Sequence, residues 1–522
     1  MLYVVFRGLS RLALRWFYRD VAVVGAERIP TEGPLLVAMN HPNALVDALV
    51  AVSIVPRRVA LTAKATLWEH RLLAPLLDAV GIVPLRRASD EAARRPRAAR
   101  RASMTPPAGL SRWATESRSK GPRRTGETPR ATPAVPDEPL PVTAAFEATL
   151  TPGSRPQMAT SAEHRVMRNM AAFAALLETL ERRGAVLIFP EGKSHGEPQL
   201  APLKTGLARI ALQARDERGV HGLRIVPIGL VFERKWQPRS RVLVQVGAPL
   251  AVDGWSPRAD DIPAEALTAE VQARLRAVTL NFETAQEEAQ TLGVARVLAA
   301  AFEGDRPLGE ADTPLLAAVD VAHRVEAARE RLTAGGELPP RATAFVERLS
   351  ALRRLAARHG VLLEDAEIAT GLAAGARFTA REGLLAVVAL PVAAWGALNH
   401  FLPLRLAWWA GLRASRSQDD PAMRTIVAGL GLVLLFYLLQ TGVAWWLAGP
   451  WWALLYLATL PLAGVVHLRF LDRTRRALRR ARTYRLFRRD PALRRQFAEE
   501  LAWVREEAVQ VEQEAQDVEG RT

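Results

Sequence analysis

Apolar residues along this chain keep three different rhythms. From Val21 onward they fall into short runs, Val21–Val24, Pro34–Met39, Arg58–Leu61, Ile82–Leu85, Ala185–Phe189, Ile225–Phe232 and Val242–Val246, most flanked by Gly, Pro or polar turn residues. Such runs predict strands. Between them Asn43–Ile54, Thr66–Leu77, Met167–Arg183 and Lys204–Asp216 carry helical spacing. Strands alternating with helices predict an α/β layered domain over residues 20–255. Residues 256–380, rich in Ala, Leu, Glu and Arg at helical spacing, predict a helical region without a readable motif.

The third rhythm is continuous. Residues 384–404 and 425–468 carry no formal charge. A helix needs about 20 apolar residues to cross the hydrocarbon core, so the second stretch predicts a C-terminal transmembrane helical hairpin turning at Gly449 and Pro450. Trp445, Trp446, Trp451 and Trp452 then stand where an aromatic belt belongs. Pro391, Asn399, His400 and Pro403 interrupt the first stretch, which predicts a re-entrant or interfacial segment with both ends on one side. Residues 384–468 together make the membrane region.

Charge sets the orientation. The run from Arg469 to Arg489 follows the hairpin directly, and Arg405, Arg413, Arg416 and Arg424 precede it, so the positive-inside rule puts both flanks, and with them the α/β domain, on the cytoplasmic face. Residues 469–522 read as a cytoplasmic tail, basic and then acidic. At the other end, Arg7, Arg11, Arg15 and Arg19 recur every four residues beside Leu2, Val5, Phe6, Leu9, Leu12, Trp16 and Phe17, predicting an amphipathic helix over residues 1–19 that lies on anionic lipid. Residues 88–160 hold eleven prolines and no apolar period. They read as a disordered insert, cheap to carry because loop-closure entropy grows only logarithmically with length.

With 522 residues the chain exceeds what one core supports. A formal charge of +16 calls for an anionic partner; beside a membrane hairpin that partner is lipid headgroups, not nucleic acid. The absence of Cys excludes disulfides, a thiol nucleophile and thiolate metal sites. Chemistry is left to His, carboxylates, hydroxyls and cations.

Three constellations offer it. Asn40, His41, Pro42, Asn43 and Asp47 follow a strand and open a helix; a carboxylate beside His fixes its tautomer and stabilises the imidazolium of a general base. Gly81 to Arg87 is a strand ending in two cations, Arg86 and Arg87, that could fork onto a phosphate. Phe189, Pro190, Glu191, Gly192, Lys193, Ser194 and His195 follow another strand, with Gly allowing close backbone approach and Lys and Ser able to donate to phosphate oxygens.

In this order, with Val226, Pro227, Ile228 and Gly229 as a fourth block, the constellations resemble the glycerolipid acyltransferase family that includes glycerol-3-phosphate and lysophosphatidate acyltransferases. The layout looks most like the yeast-type glycerol-3-phosphate/dihydroxyacetone-phosphate acyltransferases and their bacterial relatives. Two departures stand out. Five residues separate His41 from Asp47 where the common motif has four, which on a helix would turn the carboxylate by about 100°. The third block also reads Glu-Gly-Lys-Ser-His.

The resemblance implies that His41, oriented by Asp47, removes a proton from an acceptor hydroxyl, which attacks the thioester of an acyl-CoA or acyl carrier protein. It implies that Arg86, Arg87, Glu191, Gly192, Lys193, Ser194 and Lys204 hold a phosphate-bearing glycerol acceptor, either glycerol 3-phosphate or dihydroxyacetone phosphate. No metal and no cofactor are implied. Acylation of 1-acylglycerol 3-phosphate is the alternative within the family, and an inactive lipid-binding membrane scaffold the alternative outside it.

Overall fold

β2 (Leu35–Met39) is buried along its whole length, as its unbroken apolar run requires of a strand covered on both faces. It lies between two parallel neighbours, β6 (Ala185–Ile188) and β7 (Arg224–Phe232), with Val37 opposite Leu187 on one side and Val226 on the other. The computed structural model describes residues 2–64, 74, 77–78, 81–85, 172–235, 237–303, 315–333, 337–414 and 421–519. With β1 (Asp20–Val24), β3 (Val59–Ala60), β8 (Arg241–Val246) and β9 (Leu250–Ala251), these strands make one seven-stranded sheet of order β1-β8-β7-β2-β6-β3, with β9 pairing β7. All pairings are parallel except β7 with β8 and β7 with β9. β4 (Thr62–Lys64) and β5 (Val83–Leu85) form a separate two-stranded ladder.

The chain divides into two units. One comprises Met1–Thr62, Arg71–Val83 and Ala174–Thr522, and the other Ala63–His70 and Pro84–Phe173. Most of the second lies outside the described residues, including the 88–160 insert and part of the helix expected over Thr66–Leu77.

In the first unit, α1 (Leu2–Phe17) presses Ala13, Leu14 and Phe17 into the core of the sheet, and α2 (Leu45–Ile54) adds Val46, Val50 and Val52. Two arginines of the α1 stripe reach carbonyls of the protein. Arg7 donates to Pro56 O (3.3 Å) and Arg11 to Ser53 O (3.0 Å), so the two cations sit at the carbonyl-rich C-terminal end of α2. Val4, Val5 and Leu12 remain exposed.

Helices Ala285–Glu303, Leu315–Thr333, Pro340–His359 and Pro491–Glu519 share a second core that includes Val297, Phe345, Leu349, Phe497 and Val504. The C-terminal segment is therefore packed structure within this helical region. Its basic stretch is paired internally: Arg479 and Arg480 each reach buried Asp365 at 2.9 Å, and Arg473 forks onto Glu382 at 2.7 Å. For these three residues carboxylates take the place of the lipid headgroups expected from the sequence.

Among the described residues three helices, spanning Leu372–Gly411, Arg424–Ala448 and Pro450–Arg489, are long and apolar enough to cross a membrane. The second and third turn back at Gly449 as the sequence predicts. The first departs from expectation, since the interruption foreseen at Pro391 and Pro403 is absent and Leu372–Ala414 is one continuous helix. Its partners, however, reverse along its length. Gly375 lies against Tyr484, Glu382 pairs with Arg473, and Gly396 abuts Ala463 so closely that a Cβ would stand 2.1 Å from the Ala463 carbonyl oxygen. His400 then meets Tyr437 on the other arm, and Gly411 ends against Thr425 at that arm's base. A straight helix of 43 residues would be about 64 Å long and would carry Gly411 past the hairpin tip. The helix instead bends around Asn399 and His400, next to Pro403, where a missing N–H permits it, and both its ends stand at the hairpin base.

Candidate active site

The C-terminal ends of β2 and β6, neighbours in the sheet, deliver the two loops that carry the first and third constellations. Ligands bind at such strand ends in open α/β sheets. His41 Nδ1 stands 2.9 Å from Asp47 Oδ2, and Asp47 is fully buried. A buried carboxylate accepts, so Nδ1–H is the donor and Nε2 is the nitrogen left to take a proton. The imidazole stacks on Phe189 with ring centroids 3.9 Å apart, which fixes its plane.

The extra residue between His41 and Asp47 is absorbed before the helix begins. Ala44 adopts φ 46°, a conformation L-residues rarely take, and α2 starts only at Leu45. Asp47 thus falls in the first turn, where Asn43 N–H donates to the same Oδ2 at 2.7 Å. Burial pushes the Asp47 carboxyl above the ordinary aspartate range, and the hydrogen bonds from His41 and Asn43 oppose that shift.

Glu191, which the resemblance places on the acceptor, is held by the protein itself. Both its oxygens face the protein: Oε1 accepts from His41 N–H at 2.7 Å, while Oε2 accepts from Ala201 N–H at 2.9 Å and contacts His195 Nε2. It is 2% exposed. Ser194 Oγ likewise accepts from Ala44 N–H at 2.9 Å, at the strained residue. The third constellation therefore braces the first.

Gly192 (φ 71°) needs its missing side chain, because a Cβ there would stand 3.0 Å from Lys204 Cδ. Lys193 and Lys204 are exposed, and among the described residues neither ammonium holds a hydrogen bond or ion pair. Arg86 and Arg87 lie outside the described residues. Also among the described residues, no group of three or more His, Asp or Glu side chains is placed to hold a metal ion.

Several residues brace the site in ways the sequence does not signal, and two of them, Tyr18 and Lys235, belong to no motif. Asn40 pins β2 to β7 through both ends of its amide, Nδ2 to Leu230 O (3.1 Å) and Oδ1 from Leu230 N–H (2.7 Å). Asn43 Nδ2 donates to Tyr18 OH and to Lys235 O, both at 3.0 Å. Burial, and then the Asp47 charge, raise the Tyr18 hydroxyl well above its ordinary pKa, so it remains a neutral donor to Lys235 O (3.1 Å). A cavity of about 60 Å³ borders both loops and is lined by Asn40, Pro42, Glu191, His195 and Lys235 among others.

This site lies in a segment that matches the Acyltransferase family model over residues 20–106 and 144–231. The chain carries an acyltransferase domain. An uncharacterized acyltransferase of Schizosaccharomyces pombe is 28% identical over 46% of this chain and 38% of its own. Glycerol-3-phosphate O-acyltransferases 2 and 1 of Saccharomyces cerevisiae are 32% identical over 30% of this chain and 21% of theirs, and 36% identical over 15% and 10%. The chain thus spans well under half the length of these curated relatives. Among solved structures, the 1-acyl-sn-glycerophosphate acyltransferase of Thermotoga maritima aligns with a TM-score of 0.30 and 16% identity, covering 52% of this chain and 78% of that one. That likeness is too slight to carry an argument.

Proposed function

We propose that this protein moves a fatty acyl group from a thioester donor, acyl-CoA or acyl carrier protein, to a hydroxyl of glycerol 3-phosphate or dihydroxyacetone phosphate. The observation that carries the reading is the closed His41–Asp47 pair, formed despite the longer spacing, with Nε2 as the free base. In this scheme Nε2 takes the hydroxyl proton, the alkoxide oxygen attacks the thioester carbonyl, and the tetrahedral intermediate collapses. The thiolate leaves with the proton returned by His41. Asp47 stabilises the imidazolium between the two transfers. Lys193 and Lys204, with Arg86 and Arg87, are the cations proposed for the acceptor phosphate. The yeast glycerol-3-phosphate acyltransferases among the relatives favour the three-carbon acceptors over a lysophospholipid.

The three apolar helices embed the protein in a membrane, with the catalytic domain on the cytoplasmic face, where the lipid product can partition. Membranes containing the protein, supplied with labelled acyl-CoA or acyl carrier protein donor, should label glycerol 3-phosphate or dihydroxyacetone phosphate. Labelling of 1-acylglycerol 3-phosphate alone would move the acceptor to the lysophospholipid.

A further inference from the structure

A second cavity, of about 950 Å³, opens between the β7–β8 turn and helices Ala285–Glu303 and Pro340–His359. It shares Glu288 and Leu292 with the cavity beside the catalytic loops, so the two adjoin. Its lining carries seven arginines against three glutamates. Two of those glutamates are already engaged, Glu233 with Arg241 at 3.1 Å and Glu364 with Arg479 at 3.4 Å. Arg239 is bound to Asp472. Arg19 is also engaged within the protein. Arg234, Arg296 and Arg353 are left, and among the described residues none of the three guanidiniums has a hydrogen-bond or ion-pair partner.

These cations are close to one another. Arg353 lies over Gly293, where a Cβ would stand 2.1 Å from Nη1, and Gly293 is three residues before Arg296 on the same helix face. Packing around Arg296, and then the like charges of Arg241, Arg234 and Arg353, lower its pKa, with Glu233 opposing. Like charges gathered in a recess where seven arginines outnumber three glutamates form a site for a polyanion, and the forked guanidinium suits phosphate oxygens. One phosphate monoester on a three-carbon acceptor is far smaller than this cavity, whose volume is at the upper end for small-molecule sites. A folded carrier protein is far larger.

We propose that this cavity holds the 3′-phosphoadenosine diphosphate end of an acyl-CoA donor while its thioester reaches His41 through the adjoining cavity. The inference rests on the acyl-transfer reading and deepens it by choosing the donor. Its test compares two donors with the same acyl chain, acyl-CoA and the acyl thioester of pantetheine, which lacks the nucleotide. The full-length protein is used, as wild type and as Arg296→Gln, Arg353→Gln and the double variant.

The double variant should raise KM for acyl-CoA at least tenfold and leave KM for acyl-pantetheine and for the acceptor unchanged. Adenosine 3′,5′-bisphosphate should compete with acyl-CoA on the wild type and lose that competition in the variant. Equal changes for both donors, or a change confined to the acceptor, would overturn the assignment. Transfer from acyl carrier protein with none from acyl-CoA overturns it too, while leaving acyl transfer standing. Binding of the bisphosphate, read as protection against thermal unfolding, does not depend on catalysis. Its absence from the wild type refutes the site whatever the transfer assay gives, and its presence with no transfer from any donor points the failure at the acyl-transfer reading.

Discussion

Glu191 ties together two loops that are 150 residues apart in sequence, through bonds to the His41 and Ala201 amides. Glu191→Gln keeps the size but leaves one acceptor where two buried N–H groups need one each, a loss of about 1–3 kcal/mol. We expect kcat to fall about tenfold or more with KM for the acceptor nearly unchanged, because the loss acts through the position of His41. A rise in acceptor KM at constant kcat would return Glu191 to the substrate. At this scale His41, Asp47 and the Phe189–Ser194 block were legible in the sequence, because each cluster is local and follows a strand. The roles inside the clusters were less so. The 100° turn inferred from the longer His-to-Asp spacing assumed a helix starting at His41, whereas the chain stays non-helical through Ala44. Tyr18 and Lys235 have no motif, and only the fold brings them to Asn43.

Among the elements, seven strands were recoverable to within a residue or two, since buried strands read as continuous apolar runs, whereas the short β4 and β9 carry no such run and were missed. The bent helix Leu372–Ala414 shows the limit of such reading. Its prolines read as breaks in the sequence, yet neighbouring helices can satisfy the freed backbone groups. Its polar residues mark the bend: His400 Nδ1 donates to Gly396 O at 2.8 Å, Tyr437 OH donates to His400 Nε2 at 2.7 Å, and Gln440 Nε2 donates to Asn399 O at 3.2 Å. These groups face one another between the hairpin arms, where hydrocarbon would leave them unsatisfied. The absence of native Cys makes a direct check simple. Single replacements Arg381→Cys and Arg413→Cys, at the two ends of the bend, should both react with an impermeant maleimide from one side of the membrane, and Leu447→Cys from the other. Labelling of residues 381 and 413 from opposite sides would make this helix a full span.

Over the whole molecule, the sheet, the membrane hairpin and the helical region are fastened together by a few charged groups. Arg239 reaches the carbonyls of Arg15, Trp16 and Tyr18 and forks onto Asp472 of the third apolar helix, which ties α1, the β7–β8 turn and the hairpin to one guanidinium. Because Tyr18 also holds Asn43, this link runs directly to the catalytic loop. Charge counting alone assigned the arginine-rich segments to lipid, because one sequence shows which residues are charged but not which carboxylates the fold will bring to them. The domain pattern was legible for the opposite reason, since hydrophobic period and charge-free length are properties of the chain itself. The apolar hairpin and the loop that carries His41 are one mechanical assembly.

In the proposed reaction His41, held by Asp47, is the base. The most direct measurement is acyl transfer to the preferred acceptor by membranes containing wild type, His41→Ala and Asp47→Asn at equal, folded levels. We predict that His41→Ala loses about 10²–10⁴-fold in kcat, the usual contribution of a positioned general base, and that Asp47→Asn also loses a large part of the rate with little change in KM. Transfer by His41→Ala at the wild-type rate would contradict the account.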